Sequence, residues 1–175
     1  MMNMGSFKSF LMIGGLCLLN IISSCYTFSG ISVDYTVKKT YYVPNFQNNS
    51  LNSPPILPQT LAEALREKVR RESRLVQTDT DPDIEFIGTL VDFRVTAEAP
   101  QGGDLRESTS VNRLTIVTAI EYINHKDEEA GWKSNFSFFY DYPSTQDLSA
   151  VQDEAIEVIS DQMMEDIFNK AFTDW

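Results

Sequence analysis

Between residues 84 and 141 the chain carries three runs in which apolar and polar residues alternate, and the segments on either side repeat with a helical period. No other feature constrains the fold as much. Residues 84–96 place Ile84, Phe86 and Leu90 on one side and Ile87, Val91, Phe93 and Val95 on the other. Residues 112–124 put Leu114, Ile116, Ile120 and Tyr122 on one face. In residues 132–141, Trp132, Phe136, Phe138 and Tyr140 alternate with Lys133, Asn135, Ser137 and Asp141. A two-residue period belongs to a strand with one buried face. Short runs joined by turns predict an antiparallel meander.

Thr60-Leu61-Ala62-Glu63 has the form of a capping box, a hydroxyl at the N-cap and a carboxylate three residues on. It predicts a helix on which Leu61, Leu65 and Val69 stack along one face, with Arg66, Arg70, Arg71 and Arg74 turned outward. Residues 149–172 form a second amphipathic helix, its stripe made of Val151, Ala155, Val158, Ile159, Ile167 and Ala171, with Leu148 just ahead. Ahead of both, Val33, Tyr35 and Val37 alternate with Ser32, Asp34 and Thr36 as far as Pro44, which predicts a first strand. Residues 45–58, rich in Asn, Ser and Pro, are expected to be a loop, and residues 98–111, with Gly102-Gly103, a long connection. The order is β-α-β-β-β-α. Two helices with one apolar stripe each must cover one face of a small sheet. The expected fold is α+β: a two-layer sandwich with a four-stranded, mainly antiparallel sheet and both helices on one face.

The N-terminus sets the compartment. Lys8 precedes a mostly apolar run from Phe10 to Ile22, too short for the about 20 residues that span a bilayer. It therefore reads as a secretory signal. Ser23-Ser24-Cys25 closes it as a lipobox, in which the cysteine thiol is alkylated by a diacylglyceryl group and becomes the new N-terminus. The expected organisation is a signal peptide over residues 1–24 and one domain over 25–175, tethered by lipid at Cys25. Cys17 leaves with the signal, so the mature chain has no second cysteine and its core alone must hold the fold. Processing removes Lys8 and no acid. Basic residues fall from 14 to 13 against 25 acidic ones, and the formal charge moves from -11 to -12. Such a domain repels phosphate backbones, which argues against nucleic acid as a partner.

Catalysis finds little support. The single histidine, His125, sits in the charged turn His125-Lys126-Asp127-Glu128-Glu129, with no nucleophile and carboxylate placed for a triad. Asp79, Asp81 and Asp83 resemble a calcium loop faintly, but Ile84 and Leu90 stand where such a loop needs glycine and a bidentate glutamate. No catalytic residue, metal ligand or cofactor is therefore expected. The arginines of the first helix either meet an anionic partner or pair locally with Glu63, Glu67 and Glu72, and local pairing is favoured. Residues 84–96 pose a sharper question, because a sheet covered on one side should be polar on the other. Either Phe93 and Val95 are exposed anchors of a partner site, with Arg94 and Arg113 as charged neighbours, or a register bulge turns the apolar residues inward.

The lipobox Cys25, Tyr26-Thr27-Phe28-Ser29-Gly30 behind it, Leu61-Ala62-Glu63-Ala64-Leu65, Asn112-Arg113-Leu114-Thr115-Ile116, and the tail from Leu148-Ser149-Ala150-Val151 to Ile167-Phe168-Asn169-Lys170-Ala171 resemble the LptE family of lipopolysaccharide-assembly lipoproteins. The resemblance spans essentially the whole mature chain. It implies a plug and folding partner for the LptD β-barrel, lipopolysaccharide as ligand, and an acyl anchor on the periplasmic side of the Gram-negative outer membrane. Two other classes compete. A stand-alone periplasmic lipid carrier would need an apolar cavity, and a purely structural envelope lipoprotein would have no barrel partner.

Overall fold

A computed structural model describes residues 33–98 and 110–173. Cys25 and the signal segment lie outside the described residues, as does most of the 98–111 connection. Among the described residues the architecture is an α+β sandwich, with one sheet of six strands instead of the expected four. In chain order the elements are β1 (Thr40–Tyr42), β2 (Gln47–Asn48), α1 (Leu57–Glu72), β3 (Val76–Gln77), β4 (Ile84–Glu98), β5 (Val111–Asn124), β6 (Trp132–Pro143) and α2 (Leu148–Phe172). Strand order is β3-β1-β4-β5-β6, and β2 pairs with β4 beyond β1. The long strands β4, β5 and β6 are antiparallel, whereas β1, β2 and β3 join in parallel, so the sheet is mixed.

The first strand is shorter than its alternation predicted. Asp34 Oδ1 accepts the Thr36 N–H at 2.9 Å and the Thr36 hydroxyl at 2.6 Å. The Asp34 carbonyl accepts from Val37 and Lys38. An aspartate that bonds the backbone two residues on favours a turn over an extended chain, so residues 35–37 turn and only Thr40–Tyr42 pair. The first helix also differs from expectation. It starts at Leu57, one turn before Thr60, with Pro58 in its opening turn. Proline suits that position because its missing N–H would have no helical partner there. Thr60 is therefore an interior residue, and its hydroxyl donates back to the Ile56 carbonyl. Its stripe is as read: Leu61, Leu65 and Val69 are all fully buried.

Asp83 fastens the start of the sheet. Its Oδ2 accepts the N–H groups of Lys39 at 2.7 Å and Thr40 at 3.0 Å, and its Oδ1 meets Lys126 Nζ at 2.9 Å. One carboxylate thus joins the approach to β1, the start of β4 and the turn after β5. The Lys126 ammonium, with the backbone donors of Lys39 and Thr40, holds the Asp83 carboxyl far below the ordinary carboxylate range.

The core lies between the sheet and the two helices. Phe86, Leu90, Leu114, Ile116 and Ile120 meet Leu61, Leu65, Ile159, Met163 and Ile167 there. Phe46, ahead of β2, folds over β4 at Gly88. A Cβ added at Gly88 would lie 2.4 Å from the Phe46 ring, so only glycine permits that approach.

Candidate interaction surface

The helices cover the face carrying Leu114, Ile116, Thr118, Ile120 and Tyr122 of β5, which leaves the alternate residues on an open face. That face holds a partly exposed apolar strip, Ile87, Val117, Ala119 and Ile123, framed by charged residues that pair across strands or, for Arg94 and Asp92, along β4. Lys133 reaches Glu121 at 2.9 Å, and Arg94 pairs with Asp92. Arg113 grips Asp141 with both Nε and Nη2 at 2.7 Å and stacks 3.8 Å above the Phe139 ring. The contact with Asp141 raises the Arg113 pKa, and the guanidinium in turn lowers that of Asp141. This guanidinium is held by a planar two-point grip and an aromatic face together, an arrangement available to arginine and not to lysine.

The structure separates the four residues expected to form one contact. The β4–β5 register slips between Leu90 and Asp92, a bulge that exposes Val91 and reverses the parity of the residues after it. Phe93 therefore turns into the core opposite Ile116, only 3% exposed. Its expected place on the open face is corrected: the inward-turning alternative holds. Val95 shares the helix-side parity of Phe93 but remains 41% exposed near the end of β4. Arg94 and Arg113 do lie on the open face, in neighbouring cross-strand pairs. Phe139 was missed, although it is 51% exposed on this face. The signal was present in the sequence, since the doublet Phe138-Phe139 breaks the alternation of β6.

The arginines of α1 are engaged within the chain. Arg66 donates from Nε to the Val43 carbonyl and from Nη2 to Asn45 Oδ1, both at 2.8 Å, and so pins the β1–β2 connection to the helix. Arg70 pairs with Glu67, and Arg74, which lies past the end of α1 and not on it as expected, is 5.7 Å from the centre of the Tyr35 ring. Lys68, nearly buried, bridges the helices through Glu72 on α1 and Glu165 on α2. Those contacts leave its pKa raised although burial alone would lower it. Beside it, toward the start of α1, a groove of about 330 Å³ runs between the helices and is lined in part by Ile56, Leu57, Ile156 and Ser160. His125 is exposed, its Nε2 3.5 Å from Glu85. Among the described residues no group of three or more His, Cys, Asp or Glu side chains is placed to hold a metal. No helix among them is long and apolar enough to cross a membrane.

Comparison with known proteins is consistent in one respect and distant in others. No curated protein matches the sequence. Similar solved structures include the hypothetical protein CT253 from Chlamydia trachomatis, at 6% identity and a TM-score of 0.49, covering 77% of this chain and 98% of that one. Protein XCC0632 from Xanthomonas campestris is 12% identical with a TM-score of 0.49, covering 81% and 86%. A minor lipoprotein from Acinetobacter baumannii is 9% identical with a TM-score of 0.42, covering 77% and 92%. These likenesses add no weight to an assignment. The family model described as LptE, lipopolysaccharide-assembly, matches residues 38–171. That range takes in all six strands and both helices except the last residue of α2, and the chain belongs to the LptE family of lipopolysaccharide-assembly proteins.

Proposed function

We propose that this protein is the lipoprotein partner of an LptD-type β-barrel, seated in the barrel lumen and serving the delivery of lipopolysaccharide to the outer-membrane surface. The family match over the whole folded body carries the proposal. The open face fits it physically. A barrel lumen is polar, and a surface that meets it should mix charges with a few apolar anchors. Arg94 and Arg113 are kept as candidate contacts on this face, and Val95, exposed on the other side of β4 near its end, is kept as a separate candidate. Phe139 takes the place of Phe93 as the aromatic anchor, because buried Phe93 is out of reach of a partner. Few anchors usually dominate such an interface. Lipopolysaccharide is the proposed ligand, with no residue assigned to it, and no catalytic role is assigned.

Cys25 is the proposed acylation site. Several acyl chains give stable attachment, each buried CH₂ contributing about 0.8 kcal/mol. No acidic residue follows Cys25 directly, so no inner-membrane retention signal is evident. The body is therefore assigned to the periplasmic side of the outer membrane and to the barrel lumen. Mass spectrometry of the mature protein should find a diacylated N-terminal Cys25, and an unmodified cysteine there would remove the anchor from the proposal.

The decisive test is a mild-detergent pull-down through a C-terminal tag, which should recover a very large β-barrel protein in stoichiometric amount. Recovery of the chain alone would favour a stand-alone lipid-binding or structural envelope lipoprotein.

A further inference from the structure

β6 is the last strand of the sheet, and among the described residues no strand pairs with its outer side. Its centre, Ser134-Asn135-Phe136-Ser137-Phe138-Phe139-Tyr140, is aromatic and free of charge, proline and glycine. A run of that kind on a sheet edge offers unpaired N–H and C=O groups to an added strand. What borders it determines which strand fits. Lys133 stands on one side of the run and Asp141 on the other, and they are the charged residues of β6.

We propose that in the chain free of a barrel β6 pairs antiparallel with β6 of a second copy about a two-fold axis at Ser137, joining the two sheets into one, so that this pairing and the seat in a barrel lumen are alternative states. In this register Lys133 lies opposite Asp141 of the second copy, and the reverse pair forms at the other end. Within each copy Lys133 already faces Glu121 across β5, and Asp141 faces Arg113. Each outer row of the joined sheet would thus read Glu121, Lys133, Asp141, Arg113, four charges of alternating sign. Opposite charges directly across a strand pair stabilise it, and like charges destabilise it. Every other antiparallel register sets Lys133 and Asp141 against uncharged residues or against their own copies. The same register places Phe136 against Phe138 and Trp132 against Tyr142 on the helix side. A two-fold interface must complement itself in this way.

The test uses the full chain produced without a barrel partner and purified in mild detergent. Ser137→Cys should form a disulfide-linked dimer under gentle oxidation, because the two copies of residue 137 face each other. Glu63→Cys, exposed on α1, should not. Lys133→Asp and Asp141→Lys should each weaken self-association by about tenfold, since both rows then oppose like charges. Mixing the two variants should restore it, because in the mixed pair each acid at position 133 or 141 again faces a lysine on the other copy. Both substitutions touch side chains at least a third exposed, so circular dichroism should show each variant folded. Failure of Ser137→Cys to cross-link, equal cross-linking at residue 63, or a mixture no stronger than its components would overturn the proposal. These readouts do not depend on a barrel partner, so failure of the pull-down leaves them unchanged.

Discussion

Replacing Asp83 by alanine should weaken the fold at one defined joint and make that weakening depend on pH. The substitution removes the acceptor for two backbone N–H groups, those of Lys39 and Thr40, and the partner of Lys126. Hydrogen bonds to a charged acceptor contribute about 1.5–3 kcal/mol each when buried. Lys39 is exposed and Thr40 half-buried, so water replaces part of that loss, and the expected destabilisation is about 2–4 kcal/mol. For a domain of this size that lowers the thermal midpoint by roughly 5–15 °C. Because the folded carboxyl titrates below its ordinary value, its contribution is fully present above the unfolded pKa of about 3.9 and is lost as pH falls toward the folded value. Thermal or urea unfolding of wild type and variant should therefore differ fully near neutrality and converge in strong acid. A variant that melts with wild type near neutrality would refute the latch. A gap that stays constant down to strong acid would show that the carboxylate charge is not what holds it.

Phe93→Asp should unfold the domain, since it puts an unpaired carboxylate in the core at a cost of several kcal/mol against a total stability of roughly 5–15 kcal/mol. Arg113→Ala, on the open face, should stay folded and reduce recovery of the barrel; a soluble, stable Phe93→Asp protein would show that the bulge is misplaced. Leu65→Asp and Ile159→Asp test the two helix faces in the same way, and wild-type solubility and melting in both would mean the faces are assigned wrongly. Gly88→Ala forces its Cβ into the Phe46 ring and should cost about 1–3 kcal/mol by overpacking. Adding Phe46→Ala should make the two effects less than additive, and strict additivity in urea unfolding would argue against the contact.

The helices and the three long strands were legible because their signal is local. In α1, Leu61, Leu65 and Val69 repeat on a single face, and in β5 the apolar residues recur at every second position, whatever the rest of the chain does. The candidate anchor was Cys25, which needs only its neighbours in sequence to be recognised. Other features come from pairing between distant segments. Strands β2 and β3 have two residues each and exist through parallel pairing with β4 and β1, so no periodicity could announce them. Residues 33–37 alternate like a strand, yet Asp34 bonds its own neighbours and turns the chain. The bulge at Val91 decided the most, because one extra residue in a strand moves every later side chain to the opposite face. Phe93 entered the core for that reason. The register of β4 against β5 determined it, and the composition of β4 could not. Arg113 was visible as a charge in the sequence. Its double grip on Asp141 and its stacking on Phe139 required the β5–β6 register, which brings residues 28 apart into contact.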